Sequence, residues 1–338
     1  MTSSAERVHS GNAAEPVLLP ELPIVDSHIH LWTRDNYFAQ DFLADVAAGH
    51  NVQASIYAEC GMCFSDDPRE AFRPVGETHY VLDQVKLAEG SNHALAAGIL
   101  GCADLMLGDG VKPVLEAHAE AAKGRFRGVR YRVAWDADPV AGYGEVGYPS
   151  ENLLQKEEFQ KGARCLAEMG LVLDLWGFHT QLDDIARFAA RLPELKIVVD
   201  HVGGPLGVGP YAGRRDEVFK IWSAGIRAIA EMPNVHIKLS GLAISRLGFG
   251  FQDNGQAASS DELVRLWSPY VRTCAEVFGP ERSIFGSNYP VDRAAAPYSM
   301  LLNAYKKMLG DLSTDELTAI FAGNARRVYN LEQDAEGH

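Results

Sequence analysis

The sequence predicts a single-domain α/β protein of the (β/α)8-barrel class. Two observations support this prediction. Short apolar or β-branched runs recur eight times along the 338 residues, and segments with helical spacing lie between most of them. Eight alternations of strand and helix are typical of the closed parallel sheet of a TIM barrel. An open sheet of eight strands would also alternate, so the prediction depends on the count.

The strand runs are read in order from the N-terminus. They are IVDSHIHL (24–31), VQASIYAEC (52–60), ALAAGILGCADL (94–105), FRGVRYRVAW (126–135), LVLDLWGF (171–178), KIVVDHVG (196–203), NVHIKLSGL (234–242) and RSIFGSNYP (282–290). Helical spacing between them covers 111–124, 157–170, 182–193, 215–233 and 260–279, and Gly or Pro ends several of these segments. The predicted barrel therefore runs through residues 21–332.

Two long connections follow predicted strands 2 and 7, at 60–80 and 242–260. Loops of this length in a compact domain are often functional, and both would lie over the carboxyl ends of the strands. The second contains Gly248, Gly250 and Gly255, and we predict that it forms a lid. Residues 1–20 are predicted to be a flexible arm and 333–338 a short tail.

Composition narrows the class of partner and compartment. A net charge of −14 without a basic stripe argues against nucleic acid binding. No run of 18 apolar residues offers a membrane span, and the first 20 residues lack the pattern of a secretory signal. Five scattered cysteines fit a reducing cytoplasm better than a disulfide framework. We therefore expect a cytoplasmic protein that acts on a small molecule.

Two short motifs carry little functional weight. The CGMC pair at 60–63 has no second pair to complete a zinc site and no thioredoxin-like surroundings. The glycine-rich segment after strand 6, GGPLGVGPYAGRR, lacks the Gly-Lys-Ser/Thr ending of a phosphate-binding loop. Neither a redox site nor a nucleotide site is predicted.

Polar side chains concentrate where the predicted strands end, which is where barrel enzymes carry their active sites. They are His28 and His30 (strand 1), Glu59 (strand 2), Arg130 and Arg132 (strand 4), His179 (after strand 5), Asp200 and His201 (strand 6), Lys238 (strand 7), and Asn288 and Asp292 (around the end of strand 8). Each has a structural alternative, such as a buried hydrogen bond, but their joint placement favours one site.

His28 and His30 lie two residues apart in a strand and would share one face, about 6–7 Å apart at the rise of a strand. Both rings could reach one ion or one substrate. Asp200, beside His201, would then point to the opposite side of strand 6, and we expect it to be a packing or supporting group.

The HxH of strand 1, the single histidines after strands 5 and 6 and the FGSxxP segment on strand 8 resemble the amidohydrolase superfamily, in the branch called amidohydrolase 2. The resemblance spans residues 24–331. Members of that branch include lactonases and nonoxidative decarboxylases. The resemblance implies that His28, His30 and His179 bind zinc and that His201 polarises the substrate or assists proton transfer.

Such a site would have a clear chemistry. Three neutral imidazoles leave one coordination position open, and a water bound there ionises near pH 7. The metal or His201 would then polarise the carbonyl group of the attacked lactone. One divalent metal, with zinc favoured, is the expected cofactor.

Strand 8 departs from the family pattern, because Asn288 stands where an aspartate is usual. An amide carries neither charge nor a basic oxygen, so metal affinity is expected to be weaker and catalysis without metal becomes an option. The general base must then come from elsewhere, and Asp292 and Glu59 are the candidates.

Substrate contacts are predicted for Arg130 and Arg132, which share a strand face and would match a carboxylate. An internal ion pair with Glu59 or Asp104 is an equal alternative. Two roles are predicted for Lys238: it either pairs with a buried carboxylate or contacts the ligand. Aromatic side chains beside these groups could wall a ring-shaped substrate: Trp32, Trp135, Trp176, Phe178 and Tyr289.

The function predicted is hydrolysis of a lactone or related cyclic ester, of a carboxylated or aromatic-derived compound. A metal-dependent decarboxylase on the same scaffold is the first alternative. A barrel that binds a small acid without turnover is the second, and it is motivated by Asn288. The sequence does not fix an oligomeric state, although barrels of this kind are often homodimers.

Overall fold

The structure is a computed structural model that describes residues 15–142, 150–251 and 257–331. Eight parallel strands form one sheet in chain order, and each pairs with the next. They are β1 (Ile24–Ile29), β2 (Val52–Ala58), β3 (Ala94–Gly101), β4 (Phe126–Arg132), β5 (Val172–Trp176), β6 (Ile197–Val199), β7 (Val235–Leu239) and β8 (Ser283–Phe285). All eight predicted strands are confirmed.

Backbone contacts between the first strand and the residues after β8 bring the sheet to near closure. Ile29 forms a parallel bridge with Tyr289. The amide of His30 donates to the carbonyl of Tyr289 (2.7 Å), and the amide of Asn288 donates to the carbonyl of His28 (2.9 Å). The predicted (β/α)8 barrel is therefore confirmed, and its closure sets Asn288 beside the two histidines of β1.

The helices alternate with the strands. They are α1 (Ala39–Val46), α2 (Val75–Leu87), α3 (Lys112–Ala121), α4 (Glu157–Glu168), α5 (Leu182–Arg191), α6 (Arg215–Ala230), α7 (Ser260–Phe278), α8 (Tyr298–Met308), α9 (Thr314–Thr318) and α10 (Asn324–Val328). The five predicted helices correspond to α3 to α7, within a few residues at each end. None of the helices that the structure describes is long and apolar enough to cross a membrane.

Observed strands end earlier than the predicted runs, because the chain turns into short 3-10 segments directly after them. Examples are His179–Gln181 after β5 and His201–Gly203 after β6. In the second segment His201 has φ 54° and Val202 φ 48°. These residues adopt the left-handed region that β-branched side chains usually avoid. The regular alternation of side chains therefore ends before His201.

Two apolar clusters hold the barrel together. The larger packs the outer faces of the strands against the helices. The smaller fills the lower interior with the side chains of Val25, Ile56, Leu100, Val198 and Ile284, and residues from the C-terminal helical region close it from below. Each fully buried side chain of this kind contributes roughly 1.5–3 kcal/mol. The upper interior is polar.

The two predicted loops follow β2 and β7. The first contains a 3-10 turn at Glu70–Phe72. The second contains a 3-10 turn at Ser245–Leu247, and its predicted lid glycine Gly255 lies outside the described residues.

The described part of the predicted N-terminal arm contacts the barrel. The Ser260 amide donates to Glu15 (2.8 Å), and the Lys306 ammonium donates to the carbonyl of Leu18 (2.9 Å). Residues 1–14 and the predicted tail at 333–338 lie outside the described residues.

Candidate active site at the barrel mouth

The histidines of β1 meet the histidine after β6 at the carboxyl ends of the strands. The ring centroid of His28 lies 4.9 Å from that of His30 and 4.6 Å from that of His201. All three side chains are buried. Three of the four histidines singled out from the sequence thus lie together, with the ring of His28 in contact with both of the others.

A lysine lies beneath these rings and contacts three acceptors. The ammonium of Lys238 donates to Asp174 Oδ2 (2.5 Å) and to His28 Nδ1 (3.2 Å), and it lies 3.2 Å from Asp200 Oδ1. Lys238 and both carboxylates are fully buried. Although burial lowers the pKa of Lys238, the two carboxylates outweigh it and hold that pKa above its usual value. Lys238 is therefore an ammonium ion.

An arginine from β4 links two further carboxylates. Arg130 donates through Nη1 to Glu59 Oε1 (3.1 Å) and through Nε to Asp200 Oδ2 (3.3 Å). The internal ion pair weighed for Arg130 from the sequence is present, with Glu59 as the partner. A substrate carboxylate would have to share this guanidinium with two protein carboxylates.

The expectation that Asp200 points away from His201 is wrong. Its carboxylate faces the barrel interior, where it contacts Lys238, Arg130 and His28 (3.5 Å to Nδ1). Val198 faces the barrel interior, so Asp200, two residues further along, lies on the same side, and His201 joins it because its positive φ of 54° breaks the alternation. Burial raises the pKa of Asp200, but the charge of Lys238 outweighs burial and holds it well below its usual value.

His201 is fixed by residues that follow β7. Its Nδ1 lies 2.9 Å from Ser240 Oγ, and its ring packs edge-on against Trp176 with centroids 4.8 Å apart. Gly241 has φ +72°, and a Cβ there would lie 2.2 Å from His201 Nδ1. Only glycine therefore allows the β7 turn to approach this imidazole so closely.

His179 is buried in a separate set of contacts. Its Nδ1 accepts a hydrogen bond from the Leu206 amide (3.3 Å), and its ring packs against Tyr211 with centroids 5.2 Å apart. Among the described residues, no contact links the His179 ring to His28, His30 or His201. Tyr211 also lines a cavity of about 310 Å³ together with Trp135 and Asp136. The predicted metal role of His179 stays a prediction.

Asn288 and Asp292 form a hydrogen-bonded pair after β8. Asn288 Nδ2 donates to Asp292 Oδ1 (2.8 Å), and both side chains are buried. Burial raises the pKa of Asp292 to about 7, opposed by the bond from Asn288 and by the backbone amides of Ala243 and Gly241. A carboxyl group with this pKa can gain or lose a proton near neutral pH, as a general base must.

All four histidines are neutral at physiological pH. Burial lowers the pKa of His30 and of His201 to about 3 and that of His179 to about 4. Burial, together with the charge of Lys238, also lowers the pKa of His28 well below its usual value. Neutral imidazoles donate from one nitrogen and accept at the other, so their neighbours decide which nitrogen carries the proton.

The remaining predicted substrate contacts differ in their surroundings. Trp32 stacks on His30 with centroids 5.7 Å apart, and the Arg34 guanidinium lies 3.7 Å above its ring. Tyr289 is fully buried and donates its hydroxyl to the Ala296 carbonyl (2.5 Å). Arg132 is half-buried at the end of β4. Substrate contact by these three side chains stays a prediction.

Among the described residues, one group of three His, Cys, Asp or Glu side chains has its ligand atoms within 4.8 Å of one another: His28, Asp200 and His201. A divalent ion needs lone pairs from these atoms. The Lys238 ammonium, which can only donate, already contacts His28 Nδ1 and Asp200 Oδ1. A buried cation, the Lys238 ammonium, therefore already contacts two of the three residues of this group.

Two of the three predicted zinc ligands, His28 and His179, carry a proton on the nitrogen that would have to bind the metal. His28 Nδ1 accepts from Lys238 and His179 Nδ1 accepts from the Leu206 amide, so each of these neutral rings carries its proton on Nε2. His30 differs, because its Nδ1 lies 2.8 Å from the Ala58 carbonyl and must donate. One of the three predicted ligands thus presents an Nε2 lone pair, and this arrangement does not fit zinc.

Sequence reasoning missed three residues of the site: Asp174, Ser240 and Gly241. Asp174 offered a signal, since it is the one charged residue in the apolar run LVLDLW. A carboxylate in a buried strand requires a partner. Ser240 and Gly241 carry no such signal, since Ser-Gly after a strand is also an ordinary turn.

Comparison with known proteins places this architecture in a family. The model of the family described as Amidohydrolase matches residues 25–331. The chain belongs to the amidohydrolase family. The resemblance inferred from the four motifs is thereby confirmed, and the chain is an enzyme of the hydrolase class.

Individual relatives extend the comparison. An uncharacterized protein of Sinorhizobium fredii is 27% identical over 93% of this chain and 100% of its own length. An L-fucono-1,5-lactonase of Burkholderia multivorans is 27% identical over 92% of this chain and 97% of its own length. The crystal structure of an amidohydrolase from Burkholderia multivorans with bound zinc has a TM-score of 0.69 and 25% identity, covering 91% of this chain and 99% of that one.

Proposed function

We propose that this amidohydrolase opens a lactone or related cyclic ester at the mouth of its barrel. The observation that carries the proposal is Asp292, a buried carboxyl group whose pKa is raised to about 7. It lies in a hydrogen-bonded pair with Asn288, whose backbone amide donates to the carbonyl of His28 (2.9 Å). The lactonase named among the relatives supports the same reaction class.

In the proposed reaction, ionised Asp292 takes a proton from water, and the resulting hydroxide adds to the lactone carbonyl carbon. The tetrahedral intermediate then expels the ring oxygen, which takes the proton back from Asp292 to give a hydroxy acid. Proton transfer of this kind contributes about 10²–10⁴-fold to the rate. Glu59 is the second candidate base, but it accepts a hydrogen bond from Arg130.

His201 is proposed to polarise the lactone carbonyl. Its ring is held by Ser240 and Trp176, so its free nitrogen keeps a fixed direction. A preorganised donor aimed at the developing oxyanion is worth about 2.7–4 kcal/mol in comparable sites. Arg132 and Trp32 are proposed to contact the remainder of the substrate, and a carboxylated or aromatic-derived ring would suit them.

The participation of a metal ion is a separate question within this proposal. When bound, zinc would supply a Lewis acid and an ionised water at neutral pH. His28, His30 and His179 are the ligands that the family resemblance implies, and Asn288 replaces the usual acidic residue. Because the protons of His28 and His179 oppose zinc as the site is arranged, we assign no step to the metal and favour hydrolysis without it.

The experiment is a panel of lactones, beginning with sugar-acid 1,5- and γ-lactones and including carboxylated aromatic-derived lactones. Acid release without carbon dioxide supports the proposed hydrolysis. Carbon dioxide release from a carboxylic acid panel would identify the decarboxylase alternative. Tight binding of a small acid without turnover, with or without added zinc, would identify a non-catalytic barrel. Metal content is measured on the same samples.

A further inference from the structure

We propose that Lys238 is a positioning residue that fixes the proton of His28 on Nε2. His28 then presents a hydrogen-bond donor to the barrel mouth, at a position where the family resemblance implies a metal ligand. The catalytic meaning of this donor rests on the proposed lactone hydrolysis. The position of the proton does not, and it can be measured without any substrate.

The Lys238 ammonium combines two hydrogen bonds with one further ionic contact. An ammonium group has three N–H donors and no acceptor. Lys238 donates to Asp174 Oδ2 (2.5 Å) and to His28 Nδ1 (3.2 Å), and Asp200 Oδ1 lies 3.2 Å away as an ion-pair contact without a hydrogen bond. Lys238 can only donate, and it lies closer to His28 Nδ1 (3.2 Å) than Asp200 Oδ1 does (3.5 Å), so His28 Nδ1 accepts and the imidazole proton is on Nε2.

The opposite nitrogen of His28 points to a ligand. His28 Nε2 is buried and has no hydrogen-bond partner among the residues that the structure describes. A buried N–H without a partner costs about 1–3 kcal/mol, and natural proteins keep few of them. Such a donor among the rings of His30 and His201 is suited to a substrate oxygen, and it gains its full value when the developing oxyanion accepts from it.

The charges around Lys238 keep it in place. Asp174 holds one side of the ammonium and is itself bonded by the Tyr329 hydroxyl, which lies 3.0 Å from both carboxylate oxygens. Asp200 holds the other side and is shared with Arg130. A divalent ion at His28 would therefore have to displace or repel a buried cation that has two carboxylate partners.

The test reads the tautomer of His28 directly. Long-range ¹H–¹⁵N correlation spectra of the full wild-type chain report which imidazole nitrogen is protonated, and a His28→Gln spectrum assigns the signals. We expect a protonated Nε2 and an unprotonated Nδ1. A protonated Nδ1 would overturn the proposal, whichever lactones the enzyme hydrolyses.

A charge-balanced variant tests the role of Lys238. Lys238→Met alone would leave two carboxylates buried without their cation, so Lys238→Met is combined with Asp174→Asn. In this double variant we expect the His28 proton to move to Nδ1, where Asp200 accepts it. Zinc affinity, measured by calorimetry, should rise at least about tenfold, because a buried positive charge has been removed from the ligand group.

Lys306→Met provides the matched control. Lys306 is also a buried lysine that donates to a histidine Nδ1, that of His50 (2.8 Å), but it lies under the N-terminal segment. This variant should change neither the His28 spectrum nor zinc affinity. A double variant that keeps the wild-type His28 tautomer, or binds zinc no more tightly than the control, would refute the role of Lys238.

Discussion

Replacing Asp292 by asparagine should remove activity, and the variant should gain stability relative to wild type as pH rises. Asp292 is fully buried, and its pKa is raised from 3.8 to about 7. Each pKa unit corresponds to about 1.4 kcal/mol, so ionised Asp292 costs the folded state on the order of 4 kcal/mol. Asparagine keeps the oxygen that accepts from Asn288 and cannot ionise.

The sign follows from proton linkage. A raised pKa in the folded state means that the unfolded chain releases this proton first, so stability falls as pH rises from about 3.8 to about 7. The cost of the carboxylate is partly present at pH 5 and complete above pH 7. The unfolding free energy of Asp292→Asn minus that of wild type should therefore increase by roughly 2–3 kcal/mol between pH 5 and pH 8.

The assay is urea unfolding of both proteins at pH 5, 6.5 and 8. Other groups titrate equally in both proteins and cancel in the difference. Asp83→Asn is the control, because this exposed aspartate pairs with Lys86 on the surface, and surface pairs contribute about 0–1 kcal/mol. A difference for Asp292→Asn that stays constant or shrinks with rising pH would refute the assigned environment of this carboxyl group.

Three further predictions concern catalysis. The kcat/KM should rise with pH and level off above about pH 7, because Asp292 must be ionised to act as base; a profile that is flat from pH 5 to 8 would exclude it. Gly241→Ala should lower kcat at least about tenfold, since a Cβ 2.2 Å from His201 Nδ1 must displace that ring; full activity would show that the ring position is unimportant. Dialysis against a chelator should leave turnover within about twofold, because His28 and His179 carry their protons on Nε2; activity that is lost and then restored by zinc would contradict this reading.

The fold followed from the sequence because its signals are local. Eight apolar runs and the helical segments between them each depend on neighbouring residues, and the structure has a strand at every run. The placement of polar residues at strand ends was also informative, since the barrel brings the carboxyl ends of parallel strands together. His28, His30 and His201 meet for this reason.

The charges inside the mouth could not be derived from the sequence in the same way. Lys238 and His28 are 210 positions apart, and Arg130 and Glu59 are 71 apart. The pairing of such groups depends on strand register and on where each strand ends. His201 illustrates this, because β6 ends at Val199 and the positive φ of His201 turns its side chain toward the mouth that Asp200 also faces.

The position of the histidine protons required the neighbours as well. The motif HxH predicts two rings on one face, but not that Lys238 would contact one Nδ1 and the Ala58 carbonyl the other. These two partners give the adjacent rings opposite tautomers. The ligand set implied by family resemblance therefore needed the geometry of this chain before it could be assessed.

Product analysis with wild type and Asp292→Asn tests the central claim most directly. On the lactone panel, wild type should release one equivalent of acid per lactone and no carbon dioxide, while the folded variant should be at least about 100-fold slower. Failure of wild type to open any lactone, carbon dioxide as a product, or an undiminished rate in the variant would contradict the proposal that Asp292 drives lactone hydrolysis at this mouth.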